Sequence, residues 1–549
     1  MVLTYLNGIQ RLIFLLPNNS KVFKIIDNIF IADVTIVGSG LAGLSTIYFL
    51  DLLNKEKAKI AIISKSSLGY GTSTYYSAGV FRCPVNGYSI EEYIRDFIEG
   101  GRYINKKSLV ELIASESVSC VNALRELGLR FKVSRGSLRV VSSDPLFPGK
   151  ELIAALRSYV LSRPNTILLE NTHMLDIVKN SDNSLATVCI TSRGSYVIVN
   201  SRVVVLATGG AANVFIRSDN PQQLTCDGHG ACLRLGIPLI DMEFIQFFPL
   251  GIAEPGKPSF MIPFAKGKLV NRLGEDIVMK YGLESLDKAV GFNRDKLSRY
   301  IMLEIMNGNG VNGALHMYLE ENIDELSLFA NELRRKLNLK SPIKVLPIAH
   351  FSMGGVEVDE NLETSINGLY IAGELVGGVH GANRLGGNAL TTCIVTAKIV
   401  AKNILTYIDN RFREKIGMDI EDNVKHILNR YRLKDGKYIP SEVRSSIRNI
   451  MWLKAGVIRS EDLIKECIGE LLDIYENLDK IRISSHDEVV RYSETLNTLL
   501  TSLAVAYSAL IRKESRGAHF RLDYPEESSS WVKNIRIIYK DDRFRYEVI

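Results

Sequence analysis

Clustered cysteine is missing from this chain. Its seven cysteines (Cys83, Cys120, Cys189, Cys226, Cys232, Cys393 and Cys467) form no C-x-x-C pair and no group at metal-ligand spacing, which excludes a bound iron–sulfur cluster or structural zinc. An odd, scattered set fits free thiols in a reducing compartment, so the expected location is cytoplasmic. Charge of one sign is also lacking. Sixty-seven Lys and Arg stand against 61 Asp and Glu, a net +6, too even for a nucleic-acid footprint. No apolar run approaches 18 residues, so no segment is expected to span a membrane, and peripheral contact with the inner membrane face would come through a partner subunit. The run from Leu12 to Leu16 is too short for a signal-peptide core and lacks a small-residue cleavage site. Residues 1–29 therefore read as an N-terminal extension, either a tail or docking segment or a misassigned start. Compositional extremes are absent too: 46% apolar and 23% charged residues exclude wholesale disorder, collagen-like repeats and coiled-coil rods. At roughly 150 residues per domain, a chain of 549 residues holds about three or four units.

Glycine, by contrast, comes in short runs where backbone must approach something closely. Ala32 to Val37 form an apolar, β-branched run that ends in Gly38-Ser39-Gly40-Leu41-Ala42-Gly43, with a helix-like segment continuing to about Leu53. Ile60 to Ser64 close a βαβ unit. In that context Gly38 allows a tight turn, Gly40 lets backbone reach a pyrophosphate, and Gly43 allows close helix–strand packing, with the helix N-terminus facing the negative charge. The second strand ends in Ser64-Lys65, where an NAD site would offer an acid to the ribose. Two more apolar strands end in glycine, Val203 to Gly210 and Leu369 to Glu374. Three such strands, far apart in sequence, predict one sheet around an extended cofactor, and FAD fits this pattern better than NAD.

Further motifs accompany these in a fixed order: Thr72-Ser73-Thr74-Tyr75-Tyr76 before Gly79, ATGG from Ala207, CDGHGACLRLG from Cys226, DMEFIQFFP from Asp241, RDKLSRYIMLEIMNGNG from Arg294, PIAHFSMGG from Pro347, GLYIAGE from Gly368, HGANRLGGNAL from His380 and RKESRGAHFRLDYPE from Arg512. Over roughly Asp33 to Trp531 the chain resembles the succinate dehydrogenase/fumarate reductase flavoprotein and L-aspartate oxidase family. The resemblance implies an α/β architecture: a split, Rossmann-like FAD-binding fold (residues 30–245 and 344–408), an inserted α+β capping domain (246–343) and a helical C-terminal domain (409–549). It also implies FAD contacts from Gly38, Gly40, Gly43, Ser64, Lys65, Ser73, Thr74, Gly79, Thr208, Gly209, Gly210, Asp227, Gly373, Glu374, Asn388 and Leu390. In the C-terminal region, Leu496, Leu499, Leu500, Leu503, Tyr507 and Leu510 share one helical face and read as bundle core. The cationic run from Arg512 reads as a solvated or interdomain structural face rather than as catalytic.

FAD chemistry on a small carboxylic acid requires hydride transfer at flavin N5 and a group that gives or takes a proton on the adjacent carbon. By resemblance that group is Arg294; an arginine is a poor general base because its pKa lies above about 12, so the family's use requires a buried relay that reprotonates it. His350 and Arg384 would hold one substrate carboxylate, Arg384 through its planar fork. His380 and Asn383 would shape the loop beside the flavin, and His316 reads as structural.

Departures from the family pattern carry information of their own. Phe248 stands where the family has a histidine for the second carboxylate. Ser259 keeps a hydroxyl donor, whereas Phe260 and Pro263 replace the relay glutamate and arginine, with Lys266 nearby as a compensating cation. Ser73 occupies the position of the flavin-linking histidine, so the FAD is expected to be non-covalent. The leading expectation is an FAD-dependent (di)carboxylate oxidoreductase of the succinate/fumarate type. The alternatives are L-aspartate oxidase, disfavoured by a shortened loop at Val133 to Ser137, and a flavoprotein with altered substrate or lost catalysis. Lacking its own cluster, the subunit would pass electrons to an iron–sulfur partner, a quinone or oxygen.

Overall fold

Runs of β-branched and apolar residues set the centre of the molecule. The computed structural model describes residues 3–6, 9–12, 28–54, 58–262, 267–319, 332–411 and 421–549. Strand β1 (Asn28–Val37) leads through the glycine turn into helix α1 (Leu41–Asn54), and β2 (Ile60–Ile63) returns parallel to β1. β2 reads IAII and is buried along its whole length, as a parallel strand covered on both faces must be. With β3 (Thr166–Leu169), β4 (Thr172–Lys179), β5 (Leu185–Thr191) and β6 (Tyr196–Leu206) the sheet order is β3–β2–β1–β6–β5–β4. Val34 to Val37 run parallel to Val203 to Leu206. The late strand Leu369–Ile371 enters parallel to β6, with Val204 opposite Leu369. The three glycine-ended strands thus lie in one sheet and finish at the same edge.

Close backbone approach explains two of those glycines. Gly38 has φ +110°, and a Cβ there would lie 2.2 Å from the Ala207 carbonyl oxygen; one on Gly43 would lie 2.0 Å from the Gly38 carbonyl. Any side chain at either position would push the turn, the helix and the neighbouring strand apart.

A second sheet, ordered β7–β10–β9–β8, consists of β7 (Ile245–Ile252), β8 (Gly267–Val270), β9 (Leu315–Leu319) and β10 (Ile343–Ser352), all antiparallel. Helix α2 (Arg294–Met306) packs on β7, where Ser298 Oγ donates 3.1 Å to the Phe247 carbonyl. Phe248, Leu250, Ile252, Leu297, Ile301 and Leu315 belong to an apolar core separate from that of the first sheet, so the insertion is a unit in its own right. Its expected edges at 245/246 and 343/344 fall inside β7 and at the start of β10. Those strands run on without a break, and their far ends carry Gln246 and His350. The edges expected at 29/30 and 408/409 likewise fall within continuous elements, β1 and α3 (Asn388–Arg411). Continuous apolar patterning across each junction left no sequence break to read.

α3 is long and apolar enough to cross a membrane, with a window Asn388–Ile408 that is 56% buried. Ile394, Val395, Ala397, Val400, Ala401 and Ile404 face the core and are fully buried, so it serves here as a core helix. Beyond it α4 (Pro440–Ala455), α5 (Glu461–Glu476) and α6 (His486–Ile511) form a helical layer, and the leucine stripe of α6 is buried as expected. The C-terminal region does not end in helix. β11 (Ile535–Lys540) and β12 (Arg543–Val548) form a hairpin, and β11 pairs with Leu239–Ile240. Most of the apolar run Leu12 to Leu16 lies outside the described residues.

Of the two structural roles expected for the cationic C-terminal run, the buried interdomain face is the one seen, not the solvated one. Arg459, Arg512 and Arg521 are among the largest fully buried side chains. Arg512 donates to Glu243 Oε1 at 2.5 Å and to Glu514 Oε1 at 3.1 Å, and Arg459 donates to the Glu243 carbonyl at 2.8 Å and meets His519 Nδ1 at 2.6 Å. This cluster joins the helical layer to the segment that precedes β7. Removing one partner from a buried charge network typically costs about 3–5 kcal/mol. Arg512→Ala is therefore expected to lower the guanidinium unfolding midpoint markedly; an unchanged midpoint would show that the network is not structural cement.

Candidate active site

The first cavity follows the three glycine turns. Its walls include Gly38, Gly40, Ser64, Lys65, Ser73, Thr74, Thr208, Gly209, Asp227, Gly373 and Glu374, eleven of the sixteen expected cofactor positions. Of the others, Gly43 packs behind the turn, Gly210 lies against the Glu374 carboxylate, and Asn388 Oδ1 accepts from the Tyr93 hydroxyl at 3.0 Å. Gly79 and Leu390 line a neighbouring cavity. Serine takes the place of the acid expected of an NAD site: Ser64 Oγ and Ser39 Oγ lie 2.7 Å apart, and the Gly69 amide donates to Ser39. Lys65 borders the cavity but its ammonium is committed to the protein. It contacts Asp227 at 2.7 Å, Glu494 at 3.2 Å and Thr225 Oγ1 at 2.5 Å. Burial alone would lower its pKa, and the two carboxylates outweigh that and raise it. Burial would raise Asp227, yet Lys65 holds it down at about 2. Lys65 is a strut beneath the cradle rather than a free donor to it.

Three buried polar atoms at or behind this cradle have no protein partner: Ser73 Oγ, Thr208 Oγ1 and Asn388 Nδ2. Buried polar groups normally find partners. Orphans around a glycine-lined cleft at the edge of a parallel sheet, beside the N-terminus of α1, suit a ligand rich in phosphate and heteroaromatic acceptors. The residues present fit FAD.

The second cavity, about 360 Å³, shares Ser73, Thr74, Glu374 and Cys393 with the first. Arg294, His350 and Arg384 converge on it, each from a different element: the start of α2, the far end of β10, and the loop before α3. Register shifts in the β7–β10 pairing flank Phe247 and Phe248, and such irregularities redirect side chains near active sites. Arg294 Nε donates 2.7 Å to the Val290 carbonyl, and its guanidinium sits 5.2 Å over the Phe248 ring. Burial lowers its pKa to about 10. Arg384 donates from Nη1 to the Leu385 carbonyl and from Nη2 to Gln246 Oε1 at 2.8 Å, while its buried Nε has no partner. Burial, then the neighbouring Arg294, brings it down to about 9. His350 Nδ1 pairs with Asp219 Oδ2 at 2.8 Å. Burial lifts Glu374 to about 7.

Asp219 and Gln246 went unrecognised as site residues in the sequence. Gln246 sits inside the quoted motif at Asp241, directly before the phenylalanine pair, so a signal existed; Asp219 had none. His380 is fully buried between Phe97 and Phe351 rings, behind the loop as expected, and Asn383 Oδ1 accepts from Gln246 Nε2 at 2.8 Å. His316 lies in β9 opposite Val270. Ser259 is half-buried and does not line the cavity, whose wall there is Phe260 and Met261. Pro263 and Lys266 lie outside the described residues.

A dinucleotide cradle that opens onto an arginine-lined pocket is the arrangement of an FAD-dependent oxidoreductase. The FAD binding domain family matches residues 33–390 and the fumarate reductase flavoprotein C-terminal family matches residues 444–548. The chain belongs to the succinate dehydrogenase/fumarate reductase flavoprotein and L-aspartate oxidase family, and its cofactor is FAD. It is 28% identical to a CoM/CoB fumarate reductase polypeptide of Methanothermobacter marburgensis, covering 92% of this chain and 96% of that one. It is also 28% identical to the L-aspartate oxidase of a Synechocystis species, over 91% and 95% of the two chains. A solved quinol fumarate reductase chain of E. coli superposes with a TM-score of 0.85 at 28% identity, covering 95% of this chain and 96% of that one.

Ser73 Oγ borders both cavities and offers no nucleophile comparable to an imidazole. Acid precipitation of the purified protein should therefore release its flavin into the supernatant; flavin retained in the pellet would mean that another side chain makes a covalent bond.

Proposed function

We propose that this chain transfers hydride between flavin N5 and the carbon–carbon bond next to a carboxylate, the reaction type of succinate/fumarate enzymes, with FAD held non-covalently. The observation that carries this reading is the convergence of Arg294, His350 and Arg384 on a cavity that shares four wall residues with the FAD cradle. Bound FAD supplies or accepts the hydride, and everything else falls to the chain's own residues. Arg384 and His350 bind one carboxylate, Arg384 offering its unpartnered Nε. Gln246 and the Phe351 ring, 4.5 Å from the guanidinium, hold Arg384 in place. Asp219 orients His350 through Nδ1, leaving Nε2 for the substrate. Arg294 gives the proton to the α-carbon in reduction. Burial favours this because it weakens the arginine as a base and so strengthens its conjugate acid. Phe248 and Phe351 keep bulk water from the reacting carbons.

L-aspartate oxidation is the second reading, supported by Ser73 and by the similarity to an L-aspartate oxidase. The loop expected to carry a glutamate for the amine is a tight hairpin at Val133 to Ser137, outside the cavity wall, with Arg135 pairing Glu92. Anaerobic reduction of the flavin by L-aspartate but not by saturated acids without an amine would favour that reading. A flavoprotein that has lost turnover would respond to no acid at all. Electrons must leave or enter through a second molecule, because no group of His, Cys, Asp or Glu among the described residues could hold a metal. Similarity to a quinol fumarate reductase supports a quinol or an iron–sulfur subunit, which would bring the chain to the membrane face peripherally; oxygen is the third acceptor.

Arg294→Ala should lose nearly all turnover, by about 10²-fold or more as general acids do, while retaining FAD and the spectral response to a bound acid. In the wild type, binding of the acid should weaken as pH rises through about 9, where Arg384 loses its proton, and reduction at saturating acid should decline through about 10, where Arg294 does. Normal turnover in the alanine variant would overturn the assignment.

A further inference from the structure

The second cavity has the charge for one carboxylate and, on one side, the wall of an apolar site. Among the described residues its cations are Arg294 and Arg384, with the His350 imidazole as a further donor. Neither guanidinium is hydrogen-bonded to a carboxylate: Arg294 holds a backbone carbonyl, and Arg384 holds a carbonyl and the neutral Gln246 amide. His350 is already matched by Asp219. One ligand carboxylate completes Arg384 and His350. A second would have to be met by Arg294, the proton donor, or by the remaining wall.

One part of that wall is apolar, made by Phe248, Phe260 and Met261, while hydroxyl and amide side chains (Ser73, Thr74, Tyr76, Ser77 and Asn220) line the rest. Phe248, 1% exposed, fills the space between Arg294 and His350, touching the first at 5.2 Å and the second ring at 5.7 Å. Phe260 and Met261 follow. Phe260 is fixed edge-on by Phe147 (5.6 Å, 88°), and Phe147 in turn by Tyr76 (5.5 Å, 81°). Such a ladder of edge-to-face rings offers a further ring its preferred packing, whereas a carboxylate placed against it would lose its hydration with nothing in return.

We propose that the substrate is an α,β-unsaturated monocarboxylate bearing an apolar, aryl-type group on the β-carbon. This rests on the function proposed above and names its substrate class. The carboxylate binds Arg384 and His350, and the β-substituent packs against Phe248, Phe260 and Met261. In the reaction the C=C π bond breaks and two C–H bonds form: the β-carbon takes a hydride from reduced flavin and the α-carbon a proton from Arg294. The substrate gains two electrons and the flavin loses two. A one-electron donor of low potential, such as a reduced viologen in the assay or a reduced iron–sulfur protein, restores the flavin in two steps, with one proton from water taken up by the flavin and one by Arg294.

The test uses the FAD-loaded, full-length protein. The oxidised enzyme is titrated with 3-phenylpropionate and with succinate by flavin difference spectroscopy, and the dithionite-reduced enzyme is mixed with trans-cinnamate and with fumarate. The expected result is at least about 10-fold tighter binding and faster flavin reoxidation for the aryl acids, with Phe248→His moving both ratios toward the dicarboxylates by about 10-fold or more. Flavin content reports whether that variant is folded, and the wild-type comparison stands without it. Fumarate reoxidising the flavin as fast as cinnamate would overturn the substrate class while leaving the proposed function intact. No response to either class would overturn both.

Discussion

Two guanidiniums, Arg384 buried and Arg294 half-buried, face one cavity with no carboxylate hydrogen-bonded to either among the described residues, and this is the constraint around which the rest of this molecule is arranged. Each would be better solvated in water, and their mutual repulsion lowers the proton affinity of Arg384 further. The fold tolerates this by surrounding them with weak compensation: backbone carbonyls at Val290 and Leu385, one amide at Gln246, and the faces of Phe248 and Phe351. The Asp219 and Glu374 carboxylates on the same wall offset part of the charge on Arg384, and burial weakens Glu374 as an anion by lifting it to about 7. The electrostatic deficit remains available for an anion, which is what a binding site for an acid requires.

Holding that deficit in place demands rigidity from three directions. α2 presents Arg294, β10 presents His350 from the end of the second sheet, and the loop before α3 presents Arg384. The second sheet is anchored through the Arg512–Glu243 contact just before β7, so the buried cations of the C-terminal region indirectly fix the position of Gln246 and Phe248. Charges far from the substrate therefore support the geometry near it, and Arg512 and Arg521 there are ion-paired where the site's own arginines are not.

Much of the cofactor path was readable because it is local. Gly38, Gly209 and Gly373 each follow a short β-branched strand, and a turn's demand for glycine does not depend on remote contacts. The pairing of β1, β6 and Leu369–Ile371 followed from their shared pattern. Positions defined by long-range partners were not readable in the same way. Lys65 looked like a cofactor ligand until Asp227 and Glu494 claimed its ammonium. The cationic run from Arg512 could have faced solvent or another domain, because the acidic partner that buries it, Glu243, lies some 270 residues earlier. Asp219 belonged to no motif. The expected domain edges fall where β7, β10 and α3 run on, and a continuous strand or helix carries no punctuation. Phe248 and Phe260 were legible only as departures, and it took the ladder from Phe260 through Phe147 to Tyr76 to show that they form a wall.

The strut beneath the cradle sets an order of events during synthesis. Lys65 is translated early, Leu369–Ile371 close the sheet more than 300 residues later, and Glu494 completes the ion cluster later still. Long-range closures of this kind are slow and wait for the chain. The nascent polypeptide therefore carries an incomplete flavin site until nearly all of it has left the ribosome, and its half-formed parallel sheet stays exposed for most of translation. Flavin capture becomes the last step of folding rather than its nucleus, and cells short of flavin would accumulate a full-length chain whose cradle is built but unfilled.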